Sequence, residues 1–185
     1  MLIIKVEEAV DKLSKTKMGI HYMIVYADFE TLRKFYSLYT KRQIEENNES
    51  VRINTFYNTV DSVKKVLYED VHIDVSEYEK EEALLIIDAF DTYFGQHPYR
   101  EFNEKMTNHI KETGKEGVSI LNEIGPFPFK GMFKKIIDYE LSLPSIFNFP
   151  LKLFCLYYLR DFDGFSFEQR QKLSDHHGKT ILVSG

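Results

Sequence analysis

One thiol and six imidazoles are the most reactive side chains on offer. Cys155 is the sole cysteine, and His21 and His177 lie at a distance from it in sequence. A thiol beside an imidazole can pass its proton to the ring and become a thiolate nucleophile. The surroundings of Cys155 favour a milder role. It lies in the apolar run Leu153 to Leu156, where a lone cysteine behaves as a small buried hydrophobe. No catalytic residue is expected.

Histidines also bind metals. His72 and Asp74 fall on one face of an extended stretch, and Asp175, His176 and His177 are consecutive. Adjacent histidines point apart, and no closed ligand set with zinc-like spacing is visible. Neither a metal nor a cofactor is expected.

Nucleotide chemistry needs a different signature. A phosphate loop places two glycines, a lysine and a hydroxyl residue after the first core strand, so that backbone N–H groups cradle phosphate. Here that position reads Tyr26 to Lys34, YADFETLRK, without a glycine. A dinucleotide-type G-x-G-x-x-G is missing as well. Leu84 to Asp88, LLIID, has the form of a Mg²⁺-binding strand end, but without a phosphate loop Asp88 reads as a polar strand terminus. The aromatic loop Gly125 to Gly131, GPFPFKG, divides between core and the lining of an apolar pocket.

These residues must be held by a framework, and its periodicity is plain. Ile3, Val6, Val10 and Leu13 recur at helical spacing, so residues 1–18 are expected as a short amphipathic helix that packs on the domain or on a second copy. His21 to Tyr26, Val51 to Tyr57, Ala83 to Asp88, Val118 to Ile124, Leu151 to Tyr158 and Thr180 to Val183 read as strands. Between them lie helices over Phe29 to Ile44, Ser62 to Tyr68, Pro98 to Lys115, Gly131 to Leu141 and Phe167 to Leu173. Residues 45–50 read as a polar loop. Strands alternating with helices predict an α/β fold, a mainly parallel sheet with helices on both faces.

Bulk properties narrow the setting. The 185 residues suit one domain, and 43% hydrophobic with 29% charged residues is globular composition. A single cysteine excludes an intrachain disulfide and fits a reducing compartment. The most apolar stretch, Ile146 to Leu159, is interrupted by Asn148, Pro150 and Lys152, so no membrane span is expected and a cytoplasmic location is. A net charge of −5 disfavours a nucleic-acid partner, whose phosphates demand a basic face.

Two stretches carry a resemblance. Gly19 to Tyr26, GIHYMIVY, followed by an acidic turn and a helix, resembles the start of MEDS domains, the sensory domains of methanogens and methylotrophs found in a dichloromethane-responsive repressor. The close, Cys155 to Phe162, CLYYLRDF, then a helix, His177 and a terminal strand, is similar to the same family. The resemblance covers residues 19–185. It implies a RecA/KaiC-like core without its phosphate loop and a non-enzymatic sensory role towards small organic, hydrocarbon-like ligands. Carried over by position, the implied ligand-binding residues are His21, Tyr26, Cys155, Tyr157, Arg160 and His177. A signalling partner protein and a homodimer are the implied partners. The competing expectations are a dimerisation or interaction module and, third, a degenerate NTPase.

Overall fold

The computed structural model describes residues 2–95, 108, 110 and 112–185. Seven strands form one sheet: β1 (Leu2–Lys5), β2 (Ile20–Tyr26), β3 (Glu49–Thr55), β4 (Leu84–Asp88), β5 (Gly117–Glu123), β6 (Leu151–Tyr158) and β7 (Lys179–Ser184). Their order is β1-β7-β2-β6-β5-β3-β4, and every ladder is parallel. The expected α/β architecture is therefore present. The helix expected from Pro98 to Lys115 lies largely outside the described residues.

Helices cover both faces. One layer holds α1 (Val6–Ser14), α2 (Phe29–Glu45), α3 (Val60–Val71) and α4 (Val75–Lys80). The other holds α5 (Ala89–Phe94), α6 (Pro126–Phe129), α7 (Phe133–Ser142), α8 (Leu159–Phe162) and α9 (Phe167–His176). Side chains alternate along each strand, so Tyr22, Ile24 and Tyr26 of β2 face the first layer while Met23 and Val25 face the second. On β6, Phe154 and Leu156 face the first layer, and Leu153, Cys155 and Tyr157 the second.

Local chemistry explains the helix starts. Asp28 caps α2 by accepting from Thr31 N at 2.7 Å, and Thr59 caps α3 through Ser62 N. Ser166 and Gln169 close a reciprocal capping box on α9. Asp88 caps α5 by accepting from Phe90 N, which accounts for the acid at the end of the LLIID strand.

Several sequence expectations change. Residues 1–18 are not one helix: Leu2–Lys5 is an edge strand beside β7, and helix α1 begins only at Val6. Val6, Ala9, Val10 and Leu13 then pack into this chain's own core, while Ile3 of the same stripe is 65% exposed. The polar segment at 45–50 already contains the start of β3, because Glu49 is neutralised in the interior by Lys152 at 2.6 Å. The LLIID strand, whose continuous apolar run reads as buried on both faces, is an edge paired among the described residues through β3 alone, and Leu85 is 44% exposed. Finally, His72 and Asp74 share no strand face: His72 ends α3 in a left-handed conformation and Asp74 caps α4. The aromatic segment at 125–131, expected as a loop, contains the helical turn α6, with Phe127 in the core and Phe129 exposed.

Candidate functional site

Ligands of open parallel sheets bind outside the carboxyl ends of the strands. Here those ends are filled from within. Glu123 ends β5 fully buried. It accepts from Tyr26 Oη at 3.3 Å, from Thr55 Oγ1 at 3.3 Å, from Tyr57 N at 3.0 Å and from Phe56 N. Burial drives its carboxyl above the ordinary range, against the lowering effect of those donors. Phe29, Tyr57 and Tyr158 cluster at the same strand ends in tilted and edge-on contacts, with ring centroids 4.8–5.8 Å apart. Tyr57 also donates its hydroxyl to Asp161.

A second polar centre lies on the opposite face of the sheet. His21 of β2 and Cys155 of β6 occupy neighbouring strands and point into the same layer. His21 Nε2 lies 3.3 Å from Cys155 Sγ. Glu140 reaches them from α7, with Oε2 3.3 Å from His21 Nε2 and 3.4 Å from Cys155 Sγ. His177, at the end of α9, brings its Nε2 to 3.4 Å from the same oxygen. Tyr157 donates to the other carboxylate oxygen, Oε1, at 3.1 Å. His21, Glu140, Cys155 and His177 each offer a donor atom within 4.8 Å of the others, the one such set among the described residues. All four side chains are buried.

Backbone carbonyls orient both rings. His21 Nδ1 lies 3.0 Å from Pro144 O, and His177 Nδ1 lies 2.7 Å from Leu173 O. A carbonyl oxygen only accepts, so each Nδ1 carries a proton, and a neutral ring then directs a lone pair from Nε2. His177 Nε2 faces Glu140 Oε2 at 3.4 Å without forming a well-aligned hydrogen bond. Burial raises the Glu140 carboxyl, but His177 and His21, where their Nε2 atoms are protonated towards it, outweigh burial and hold the group below the usual carboxylate range. Burial and the Glu140 carboxylate together push the Cys155 thiol and the Tyr157 phenol well up. Cys155 is thus a thiol in the isolated centre, and the thiolate–imidazolium pair is not formed there.

Four of the six residues singled out by sequence meet here: His21, Cys155, Tyr157 and His177. Tyr26 does not; it faces the other layer and serves Glu123. Arg160 does not either; it is exposed on α8, and its charge acts on Asp161. Glu140 is the member that sequence reasoning missed. It falls on the same helical face as Ile136 and Ile137, both buried, so an acid inside an apolar stripe was the available sign. The space around Cys155 and Tyr157 is packed, with Phe162 and Phe165 against the tyrosine ring at 5.9 and 6.1 Å. Clefts of about 240 and 330 Å³ lie elsewhere, one at the start of β3 and β4 beside Arg52, the other between α8 and α9 beside Arg170.

No protein-family model matches the chain, and no curated protein matches it. Among solved structures it is similar to a KaiC-like protein of the hyperthermophilic archaeon Pyrococcus horikoshii. The TM-score is 0.50 and the identity 13%, over 90% of this chain and 61% of that one. The fold is KaiC-like. The chain spans less than two thirds of that neighbour, and identity this low speaks to architecture alone. No helix among the described residues is long and apolar enough to cross a membrane.

Proposed function

We propose that the chain is a non-enzymatic sensory domain of MEDS type, in which a KaiC-like frame responds through the buried centre at Glu140. The observation that carries this reading is the convergence of His21, Cys155, Tyr157 and His177 on one carboxylate. The two parts of the sequence that resemble the MEDS family supply these four partners from β2, β6 and the end of α9. The filled strand ends support the absence of nucleotide chemistry, since Glu123 spends its acceptors on internal donors. The centre joins α7 and α9 to the sheet, so a change in its occupancy or charge alters how firmly those helices are held. Exposed Leu141 on α7 and Phe167 on α9 give such a change an outlet to a partner protein.

The test is a melting-temperature screen of the full chain with Mg²⁺–ATP, small organic acids, chlorinated hydrocarbons and divalent metals. A rise with at least one non-nucleotide ligand, reduced in Glu140→Gln, is expected. ATP hydrolysis, or a rise with ATP alone, overturns the reading.

A homodimer or docking module is the second reading, favoured by the edge strand β1, where Leu2 and Ile3 are 55% and 65% exposed. Light scattering decides it: a dimer that Ile3→Glu converts to monomer supports the edge as an interface.

A further inference from the structure

The centre at Glu140 has an electrostatic conflict as it stands. Two imidazole nitrogens point at one carboxylate oxygen, and their rings are already committed through Nδ1–H to Pro144 O and Leu173 O. With both rings neutral, lone pairs face a negative oxygen inside the core. With both rings protonated, two buried cations share one anion, and their ring centroids are 4.3 Å apart. Both arrangements are costly where water is excluded, and a single protonated ring still leaves the other ring's lone pair facing the same carboxylate oxygen.

A cation between the donors removes the conflict. We propose that His21 Nε2, His177 Nε2, Cys155 Sγ and Glu140 Oε2 form a tetrahedral zinc site. The donor geometry carries the proposal. Zinc holds N and O donors at about 2.0–2.2 Å and sulfur at about 2.3 Å, so the edges of its tetrahedron are about 3.3–3.6 Å. Four of the six edges in this structure measure 3.3, 3.3, 3.4 and 3.4 Å, and the two from His177 Nε2 to His21 Nε2 and Cys155 Sγ are within 4.8 Å. The charge also closes: two neutral imidazoles, one thiolate and one carboxylate neutralise a divalent ion within a dry core. Binding ionises the Cys155 thiol, whose proton leaves to solvent, and the sulfur lone pair becomes the fourth donor bond.

The outer layer is complete as well. Pro144 O and Leu173 O hold each ring with Nε2 inward, and Tyr157 Oη donates to the carboxylate oxygen left free of the ion. Such second partners fix the ligating tautomer. Four protein ligands without an open position describe a closed site rather than a hydrolytic one. The ligands come from β2, β6, α7 and α9, so the ion ties two helices to two central strands. This deepens the sensory reading by naming the occupant of the same centre, and it rests on that reading only for the idea that occupancy is the signal.

The test uses the full chain. Metal content is measured as purified; the chain is then stripped with a chelator and titrated with Zn²⁺ and Co²⁺. One zinc per chain is expected, and the Co²⁺ form should show intense tetrahedral visible absorption with a thiolate-to-metal charge-transfer band. Cys155→Ser should abolish that band. Tyr157→Phe keeps all four ligands and should weaken zinc by roughly 10-fold, which preserves the test if ligand variants fail to fold. A folded chain that takes up no stoichiometric zinc, prefers copper or iron, or gives a Co²⁺ spectrum unchanged in Cys155→Ser overturns the site. If zinc fails while an organic ligand still raises the melting temperature, the sensory reading survives alone. If zinc binds and no ligand, metal exchange or partner alters the helices, the site stands and the sensory reading falls.

Discussion

Cys155 Sγ and His21 Nε2 lie 3.3 Å apart although 134 residues separate them in sequence. The pair has the spacing of a catalytic dyad, but it is sealed in the core and the thiol is pushed up by burial and by Glu140. Both access and ionisation are low. Iodoacetamide at neutral pH should therefore modify Cys155 slower in the folded chain than in urea by on the order of a hundredfold. Mass spectrometry of the alkylated protein follows the rate. Equal rates in the two states would show an open centre.

Lys152 and Glu49 make a second buried pair, at 2.6 Å on the other side of the sheet. Ser119 Oγ donates to Glu49 at 2.6 Å, and Tyr39 and Gln43 extend the chain of hydrogen bonds. Lys152→Met leaves a buried carboxylate without its cation and should cost about 3–5 kcal/mol in urea unfolding. The double change Lys152→Met with Glu49→Leu should recover part of that loss. Additive losses would mean that the pair is not coupled.

Two buried acids should give opposite pH dependences. Glu140 is held below its ordinary value of 4.5, so folding favours its ionised form. That stabilisation is complete above pH 4.5 and is lost as pH falls through the lower folded value. Glu140→Gln should flatten the acid limb of a stability profile measured by urea denaturation. Glu123 is shifted above 4.5, so its contribution is present at low pH and lost as pH rises through the folded value. Glu123→Gln should gain on the parent chain as pH increases. A constant difference across pH would rule out either assignment.

Gly19 joins α1 to β2 with φ +85°, and a Cβ there would sit 2.7 Å from Phe147 O. Its own carbonyl accepts from Phe147 N at 3.0 Å, which seats the chain beside His21. Gly19→Ala should destabilise by about 1–3 kcal/mol through its backbone conformation, and by more through the clash. Gly114 also has positive φ, at +67°, but open space around it. Gly114→Ala is the control and should cost less. Similar losses would show that the contact with Phe147 is yielding.

The local sequence determined the alternation and much of the frame. Period-two patterning of β2 and β6 is a local property, so the shared face of Cys155 and Tyr157 followed from their spacing alone. So did the missing phosphate loop, whereas the Asp28 cap of α2 appears only in the structure. Position within the sheet was beyond such reasoning. LLIID looks the same whether central or at an edge, and only the strand order left Leu85 in solvent. Leu2–Lys5 is too short to reveal strand periodicity and became a strand because β7 offered an edge. The centre itself was decided by tertiary structure. Adjacency of β2 and β6 brought His21 to Cys155, and the packing of α7 and α9 delivered Glu140 and His177. Chain topology sets such contacts across long separations, whereas spacing reports only neighbours along one helix or strand. For the same reason Tyr26, five residues from His21, lies across the sheet from it and serves Glu123 instead.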